Sequence, residues 1–139
     1  MTNSKTGDVS DALVREDGAD AVLAQHLKTL NECDWAGLLA QYPDQAEIRL
    51  PLGATAMGRE EIAELFAGFV LPPAEGGLCG LTFKEESRMV TGGTIAVQWV
   101  ADADFLAEPY RGSDAYITDD GLMVGMVTTF DGAELKMKG

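Results

Sequence analysis

The stretch His26–Gly53 constrains the fold most, because it holds the end of one helix, a corner, a short second helix and a first strand. In the first helix, apolar residues recur at the i, i+3, i+4, i+7 spacing of one buried face, up to about Asn31. Asp34 is a good N-cap, since its carboxylate can accept free N–H groups two or three residues on, and it predicts a second helix to about Tyr42. Residues 46–50 then alternate like a strand.

The remainder predicts one more helix and then a meander of strands. After a loop at 53–58, apolar residues at helical spacing predict a third helix, which Pro72 and Pro73 end. Strand-like segments follow at residues 78–90, 94–105, 108–118 and 122–130, the first of them irregular at 84–86. Gly92-Gly93 is a hairpin signal, and residues 119–121 predict a turn. Helices first and strands later indicate an α+β fold with the helices packed on one antiparallel sheet.

Length and charge narrow the class of protein further. A chain of 139 residues suits one domain, and we expect a mobile arm at residues 1–16 and a single domain at 17–139. A net charge of −13 disfavours nucleic-acid binding, because phosphates would be repelled. No apolar run approaches the roughly 20 residues that span a bilayer. The first 20 residues lack the apolar core of a signal peptide, so the sequence predicts a cytoplasmic protein in which Cys33 and Cys79 are reduced thiols.

Several chemistries lack their sequence motifs. The chain has one histidine, no C-x-x-C and no H-E-x-x-H, so it predicts no metal site. It has no G-x-x-x-x-G-K-[ST] and no G-x-G-x-x-G, the usual nucleotide cradles, and no G-x-S-x-G. We therefore expect no cofactor, and either acid–base chemistry or simple binding in a pocket.

The segments LNECDWAGLLAQYPDQAEIRLPLG and MGREEIAELFAGF resemble the opening of the NTF2-like superfamily, in particular its SnoaL-like branch. The likeness extends over roughly residues 18–131. It implies a cystatin-like cone, in which three N-terminal helices pack on a curved antiparallel sheet around an apolar pocket. Ketosteroid isomerases, limonene-type epoxide hydrolases, polyketide cyclases and scytalone dehydratase share this scaffold. The implied ligand is a small, mostly apolar, oxygenated molecule.

Two of these activities can be compared residue by residue. Ketosteroid isomerases carry a general-base aspartate immediately before a proline of the first strand, where this chain has Leu50. Their oxyanion hole pairs a tyrosine, whose position matches His26, with a protonated aspartate, whose position matches Asp114. The carboxylates of limonene-type epoxide hydrolases fall at Ala101 and Thr128 and their arginine at Trp99, so the resemblance argues against epoxide hydrolysis. It also places Val97, Trp99 and Ala101 on the pocket side.

The candidate catalytic residues are Asp114 and His26. An imidazole in the pocket can transfer a proton near pH 7, and a carboxyl in an apolar cone has a raised pKa and can act as acid, base or hydrogen-bond donor. The alternatives are a buried neutral His26 bonded to a backbone carbonyl or to Tyr42, and an Asp114 paired with Arg111. The expected ligand-binding residues are Tyr42, Leu50, Leu65, Trp99, Tyr116, Met126, Thr128 and Phe130.

Two functions remain open at this point. One is a cofactor-free isomerase, cyclase or dehydratase that uses Asp114 and His26 as acid–base groups. The other is a ligand-binding or scaffolding domain without turnover. In either case we expect a homodimer through the outer face of the sheet, because this face has too many apolar residues to be solvated. Its expected residues are Ala96, Gln98, Val100, Met123, Gly125, Val127 and Thr129, whereas Arg49 can face either solvent or the pocket.

Overall fold

In the part of the chain that the structure describes, three helices pack against a six-stranded sheet. The computed structural model describes residues 13–69 and 79–130. Within these ranges the helices are α1 (Ala19–Asn31), α2 (Trp35–Leu39) and α3 (Gly58–Phe69), with a 3-10 turn at Pro51–Gly53. The strands are β1 (Glu47–Arg49), β2 (Thr55–Met57), β3 (Thr82–Thr91), β4 (Thr94–Asp102), β5 (Tyr110–Asp119) and β6 (Leu122–Thr129).

The sheet has the order β2-β1-β6-β5-β4-β3. Every neighbouring pair is antiparallel except β1 and β6, which run parallel. The predicted α+β fold, with N-terminal helices on a curved sheet, is confirmed. The prediction of a loop at 53–58 is wrong in part, because residues 55–57 form β2. This strand is too short to show a period in the sequence, and it exists through its pairing with β1, for example Ile48 opposite Ala56.

The helix boundaries follow from local chemistry. Asp34 caps α2 as expected, and its Oδ1 accepts the Gly37 N–H at 3.0 Å. Near the start of α3, Glu61 Oε1 accepts the Met57 N–H at 2.9 Å. The buried face of α1 contains Val22, Leu23, His26 and Thr29. None of the described helices is long and apolar enough to cross a membrane. The predicted helix end at Pro72 and Pro73 lies outside the described residues.

Alternation along the strands gives the sheet an inner and an outer face. In β4, Val97, Trp99 and Ala101 are buried in the core, whereas Gln98 is exposed on the opposite side. The prediction that Met123 lies on the outer face is wrong, since Met123 is fully buried. A register shift between Ile117 and Thr118 of β5 changes the phase of the β5–β6 pairing. The backbone N–H of Met123 then donates to Gln41 O at 2.7 Å.

A disulfide joins the two cysteines, so the prediction of two reduced thiols is wrong. Cys33 lies in the corner between α1 and α2, and Cys79 lies shortly before β3, with 5.7 Å between their Cα atoms. The Asn31 side chain ties the same two regions together, because it donates to Phe83 O at 3.0 Å and accepts from Phe83 N at 2.7 Å. The two cysteines are 46 residues apart in the chain, so no local sequence pattern indicates that they meet.

The described part of the N-terminal segment is hydrogen-bonded to the rest of the domain. Val14 N donates to Ala40 O at 2.9 Å, and Glu16 N donates to Gly121 O at 3.0 Å. The mobile arm expected at residues 1–16 falls mostly outside the described residues. Residues 13–18 run past the β5–β6 turn before α1 begins.

Candidate functional site

The candidate site is centred on two side chains of β5 that point to the same inner face. Asp114 lies opposite Val97 and Tyr116 lies opposite Ile95, both on β4. Because side chains alternate along a strand, residues two apart share a face. The Tyr116 hydroxyl donates to Asp114 Oδ2 at 2.5 Å. A carboxyl and a phenol therefore form one hydrogen-bonded pair inside the domain.

Burial controls the protonation of this pair. Removal from water raises the pKa of Asp114, and the nearby polar groups of Thr128, Tyr116 and Trp99, which favour the charged carboxylate, oppose that rise without cancelling it. Burial and the neighbouring Asp114 charge raise the pKa of Tyr116 well above its ordinary value. The alternative pairing of Asp114 with Arg111 does not occur, since Arg111 Nε donates to Glu86 Oε1 at 2.9 Å. Asp114 can thus act as a hydrogen-bond donor, which an exposed carboxylate cannot.

His26 reaches the same interior from α1. Its side chain is buried, and its ring centroid lies 4.9 Å from that of Tyr116. Burial lowers the pKa of His26 to about 4, so the imidazole is neutral at pH 7. Its Nδ1 is buried without a hydrogen-bond partner. The alternative bond to Tyr42 is not formed, because the Tyr42 hydroxyl donates to Met126 Sδ at 3.7 Å.

Tyr42 and Met126 place a phenol and a thioether beside the pair. Tyr42 is fully buried, with its ring edge-on to Phe66 at a centroid distance of 5.3 Å. Burial raises the pKa of Tyr42, and the charge of Asp114 raises it further. Met126 lies directly across from Tyr116 in the β5–β6 pairing, and Thr128 lies across from Asp114.

An aromatic row continues from the pair toward one end of the sheet. Trp99 contacts Phe83 and Tyr110 edge-on, at centroid distances of 5.3 and 5.7 Å. Phe130 follows Tyr110 at 6.5 Å, but it is 40% exposed and therefore lies at the rim. The indole Nε1 of Trp99 is buried without a hydrogen-bond partner.

The structure divides the eight expected ligand-binding residues among three places. Tyr42, Trp99, Tyr116, Met126 and Thr128 are buried with Asp114 on the inner side of the sheet. Leu50 and Leu65 line a separate depression of about 700 Å³, which Thr55, Ala56, Met57, Glu60, Glu61 and Glu64 also line. Phe130 is at the rim. Arg49 is exposed and pairs with Glu47, so it does not enter the interior.

Sequence reasoning missed the partnership of Tyr116 with Asp114. Tyr116 was expected as a ligand contact, and the predicted partner of Asp114 was His26. The signal was present, since residues 114 and 116 share a face in any strand. Among the described residues, no group of three or more His, Cys, Asp or Glu side chains could hold a metal ion. What the site offers is hydrogen bonding and proton transfer.

Comparison with known proteins assigns the family. Residues 23–126 match the model of the SnoaL-like domain, and the chain belongs to this family. A search of curated proteins finds no match to the sequence.

Solved structures confirm the NTF2-like fold. An NTF2-like protein of unknown function from Burkholderia pseudomallei is 17% identical, with a TM-score of 0.68 over 86% of this chain and 95% of its own. The epoxide hydrolase/cyclase-like enzyme SalBIII, which acts in pyran ring formation in salinomycin, is 16% identical, with a TM-score of 0.68 over 86% and 95%. A putative ketosteroid isomerase from Kribbella flavida is 18% identical, with a TM-score of 0.64 over 86% and 82%. At these identities the likeness establishes the fold alone.

Proposed function

We propose that this SnoaL-like domain binds a small, mostly apolar molecule that carries an oxygen function, with the oxygen held at Asp114. The supporting observation is that only one of the two oxygens of the Asp114 carboxyl has a hydrogen-bond partner. Asp114 Oδ2 accepts from Tyr116, whereas Oδ1 is buried without a hydrogen-bond partner. A buried polar atom without a partner is costly, and a ligand oxygen can supply the missing partner.

The charge of the interior selects the kind of ligand. His26 is neutral at pH 7, and burial favours the neutral form of Asp114. The surrounding side chains are aromatic or thioether groups, which favour an apolar body. A net charge of −13 also repels anions from the whole protein. An uncharged ligand with one polar oxygen therefore suits the site best.

Acid–base chemistry on such a ligand needs no cofactor. In this proposal Asp114 donates its proton, or a hydrogen bond, to the ligand oxygen while the His26 imidazole accepts a proton from a neighbouring atom. These steps belong to isomerase, cyclase and dehydratase reactions. The imidazole is a weak base in this proposal, because burial lowers its pKa to about 4.

The second candidate is a ligand-binding or scaffolding domain without turnover. Two observations favour it. Leu50 and Thr128 occupy positions where related enzymes have carboxylates, and the low pKa of His26 leaves no strong base beside Asp114. Binding and turnover must therefore be measured separately.

Binding is tested with two probes of equal shape, phenol and toluene. The chain has two tryptophans, so the Trp35→Phe variant leaves the Trp99 indole as a single reporter in NMR spectra. We expect phenol to bind about tenfold more tightly than toluene, because the hydroxyl gains a hydrogen bond worth about 1.4 kcal/mol. In Asp114→Ala this preference should disappear while toluene still binds.

The matched control is Asp102→Ala, which removes an exposed carboxylate from the adjacent strand. It should keep the preference for phenol. Equal affinities of the unmodified site for phenol and toluene would contradict the role of Asp114. Turnover is assayed separately, by deuterium exchange at the carbons next to the carbonyl of cyclohexanone. Exchange that is lost in both His26→Leu and Asp114→Ala supports catalysis, whereas binding without exchange supports the second candidate.

We also propose that two copies pair through the outer face of the sheet. This face presents Met89, Ile117 and Val127, which are 67%, 41% and 40% exposed, and Met89 and Val127 line a groove of about 410 Å³ on it. Ion pairs at its margins, such as Arg111 with Glu86, give it the polar rim of an interface. A second copy would cover these apolar groups on both subunits.

Sedimentation equilibrium at micromolar concentration tests the pairing. We expect a mass near twice 14.8 kDa for the protein, and a monomer for Val127→Glu. Val90→Glu is the matched control, because Val90 is also exposed but lies opposite Ile95, on the other side of the sheet. A concentration-independent mass of one chain, or dissociation by both variants alike, would refute the interface.

The cytoplasmic location is retained as a prediction from the sequence. The Cys33–Cys79 bond argues against it, because disulfides persist in oxidising compartments and are rare in the cytosol. Thiol labelling of the protein in rapidly quenched cells decides between the cytoplasm and an oxidising compartment. Labelled cysteines would support the cytoplasm, and protected cysteines would contradict it.

A further inference from the structure

The depression between α3 and β2 carries three carboxylates that no cation balances. Glu60, Glu61 and Glu64 lie along α3 at its side, and among the described residues no lysine or arginine forms an ion pair with any of them. Glu61 already accepts the Met57 N–H at 2.9 Å. Glu60 and Glu64 are exposed and therefore remain for a cationic partner. We call this depression, lined by the eight residues given above, the acidic depression.

The acidic depression also has an apolar part and an open strand edge. Met57 is 60% exposed, and Leu50 and Leu65 are only partly buried. β2 is the last strand of the described sheet, so its far edge can accept another extended segment. A partner that suits this surface has positive charges for the glutamates and apolar side chains for the methionine and leucines.

The sequence of this chain contains such a segment. Residues 135–138 read Leu-Lys-Met-Lys, so that basic and apolar residues alternate. In an extended segment, alternate side chains share one side and lie about 7 Å apart. Glu60 and Glu64 are four residues apart on a helix, which separates them by about 6 Å along its axis. The spacing of the two lysines therefore matches the spacing of the two glutamates.

Strand order places this segment within reach. β6 runs parallel to β1 with Val127 opposite Arg49, and Thr55 of β2 lies opposite Arg49 on its other side. Phe130 is thus three residues further along and two strands across from Thr55, a distance of about 14 Å. The five residues from Phe130 to Leu135 can span up to about 17 Å. Leu135 can therefore reach the acidic depression without any change in the described fold.

We propose that residues 135–138 bind in the acidic depression of their own copy, with the two lysines paired to Glu60 and Glu64 and the leucine and methionine packed on its apolar side chains. This interaction is independent of the ligand site at Asp114. The bound segment covers Met57 and the open edge of β2, where a strand of another molecule could otherwise add.

NMR on the full chain, with labelled methionine and leucine methyl groups, tests the contact. We expect an NOE between the Met137 methyl group and the methyl groups of Leu50 or Leu65, with Met137 assigned through Met137→Leu. The double variant Glu60→Lys/Glu64→Lys should weaken this NOE at least about threefold, because two attractions become repulsions. Adding Lys136→Glu and Lys138→Glu to that variant should restore the NOE, since the charges are then exchanged between the two sides.

The matched control is Asp17→Lys/Asp119→Lys. It changes the net charge by the same amount, at exposed positions by the β5–β6 turn, at the opposite end of the sheet from Phe130. This variant should keep the NOE. An NOE that is absent from the parent, or one that survives the reversal of Glu60 and Glu64, overturns the proposal. An NOE found only between differently labelled copies in a mixed sample also overturns it, because the segment then binds a second molecule.

Discussion

The protonation of His26 gives the sharpest quantitative prediction. His26 is buried from α1, and its Nδ1 has no hydrogen-bond partner. Burial lowers its pKa from the ordinary 6.5 to about 4. In the unfolded chain the imidazole returns to water and to its ordinary pKa. Acid should therefore destabilise the fold through this one residue, and replacing His26 with leucine should remove that part of the acid sensitivity.

The sign follows from proton binding. Between pH 6.5 and pH 4 the unfolded state binds a proton at His26 and the folded state does not, so stability falls as the pH falls. Each pH unit is worth about 1.4 kcal/mol, and the loss should reach about 2.5 kcal/mol at pH 4.5. Above pH 6.5 the contribution is complete and the curve should be flat with respect to this group.

Urea unfolding of the protein and of His26→Leu, at several pH values from 7.5 to 4.5, measures the effect. The chain has 23 acidic residues that titrate in the same range, so the informative quantity is the difference between the two curves. The leucine variant should gain about 2.5 kcal/mol relative to the parent on going from pH 7.5 to pH 4.5. Because His26 is the single histidine, its Hε1 resonance gives an independent titration in the folded protein.

Two results would refute the reasoning. One is an NMR midpoint near 6.5, which would mean that water reaches the imidazole. The other is a pair of parallel stability curves, which would mean that the folded state binds the proton as readily as the unfolded state. If leucine also alters the packing, the stability curve of the variant should shift by a constant amount at every pH. The difference in slope between the two curves should remain.

The remaining predictions concern the links between elements and the charge of the site. Cys33→Ser removes the disulfide that closes a loop spanning 46 residues, and it should lower the free energy of unfolding by about 4 kcal/mol relative to the oxidised parent. In dithiothreitol, which reduces the disulfide of the parent, the urea curves of variant and parent should coincide. Asn31→Ala removes two hydrogen bonds to Phe83 and should cost about 2 kcal/mol in the same assay, whereas Asn31→Asp should keep the accepting half. Burial raises the folded-state pKa of Asp114, so the parent should lose stability as the pH rises above 3.8 through that pKa. Asp114→Asn should not show this loss, so the difference in free energy of unfolding between variant and parent should widen from pH 3 to pH 7. A constant difference would mean that Asp114 is ionised in the folded protein.

The sequence predicted most of the elements and missed one strand. The boundaries of α1 and α2 follow from helical periodicity and from the Asp34 cap, which are local properties. The irregularity predicted at residues 84–86 is the register shift between Glu85 and Ser87. β2 was missed because a strand of three residues has no measurable period and depends on its partner β1.

The candidate site was predicted in part. The resemblance to ketosteroid isomerases implied that Asp114 could face inward, and the structure puts it on the inner face beside Tyr116. The sequence grouped Leu50 and Leu65 with this site, but they line a different depression with three glutamates. Such errors arise because apolar residues look alike in a sequence, whichever cavity they border.

The sequence by itself determined the periodic and local features: three helices, strands in a meander, the cap at Asp34 and the SnoaL-like pattern of residues 23–126. Tertiary structure decided the contacts between distant segments. It brought Cys33 to Cys79, set Met123 inward through a register shift, and laid the Trp99 indole on Gly112. The physical reason is that periodicity and capping depend on neighbours within one or two turns. Disulfides, registers and the pKa values of buried groups depend on which remote surfaces meet and on how much water is excluded between them.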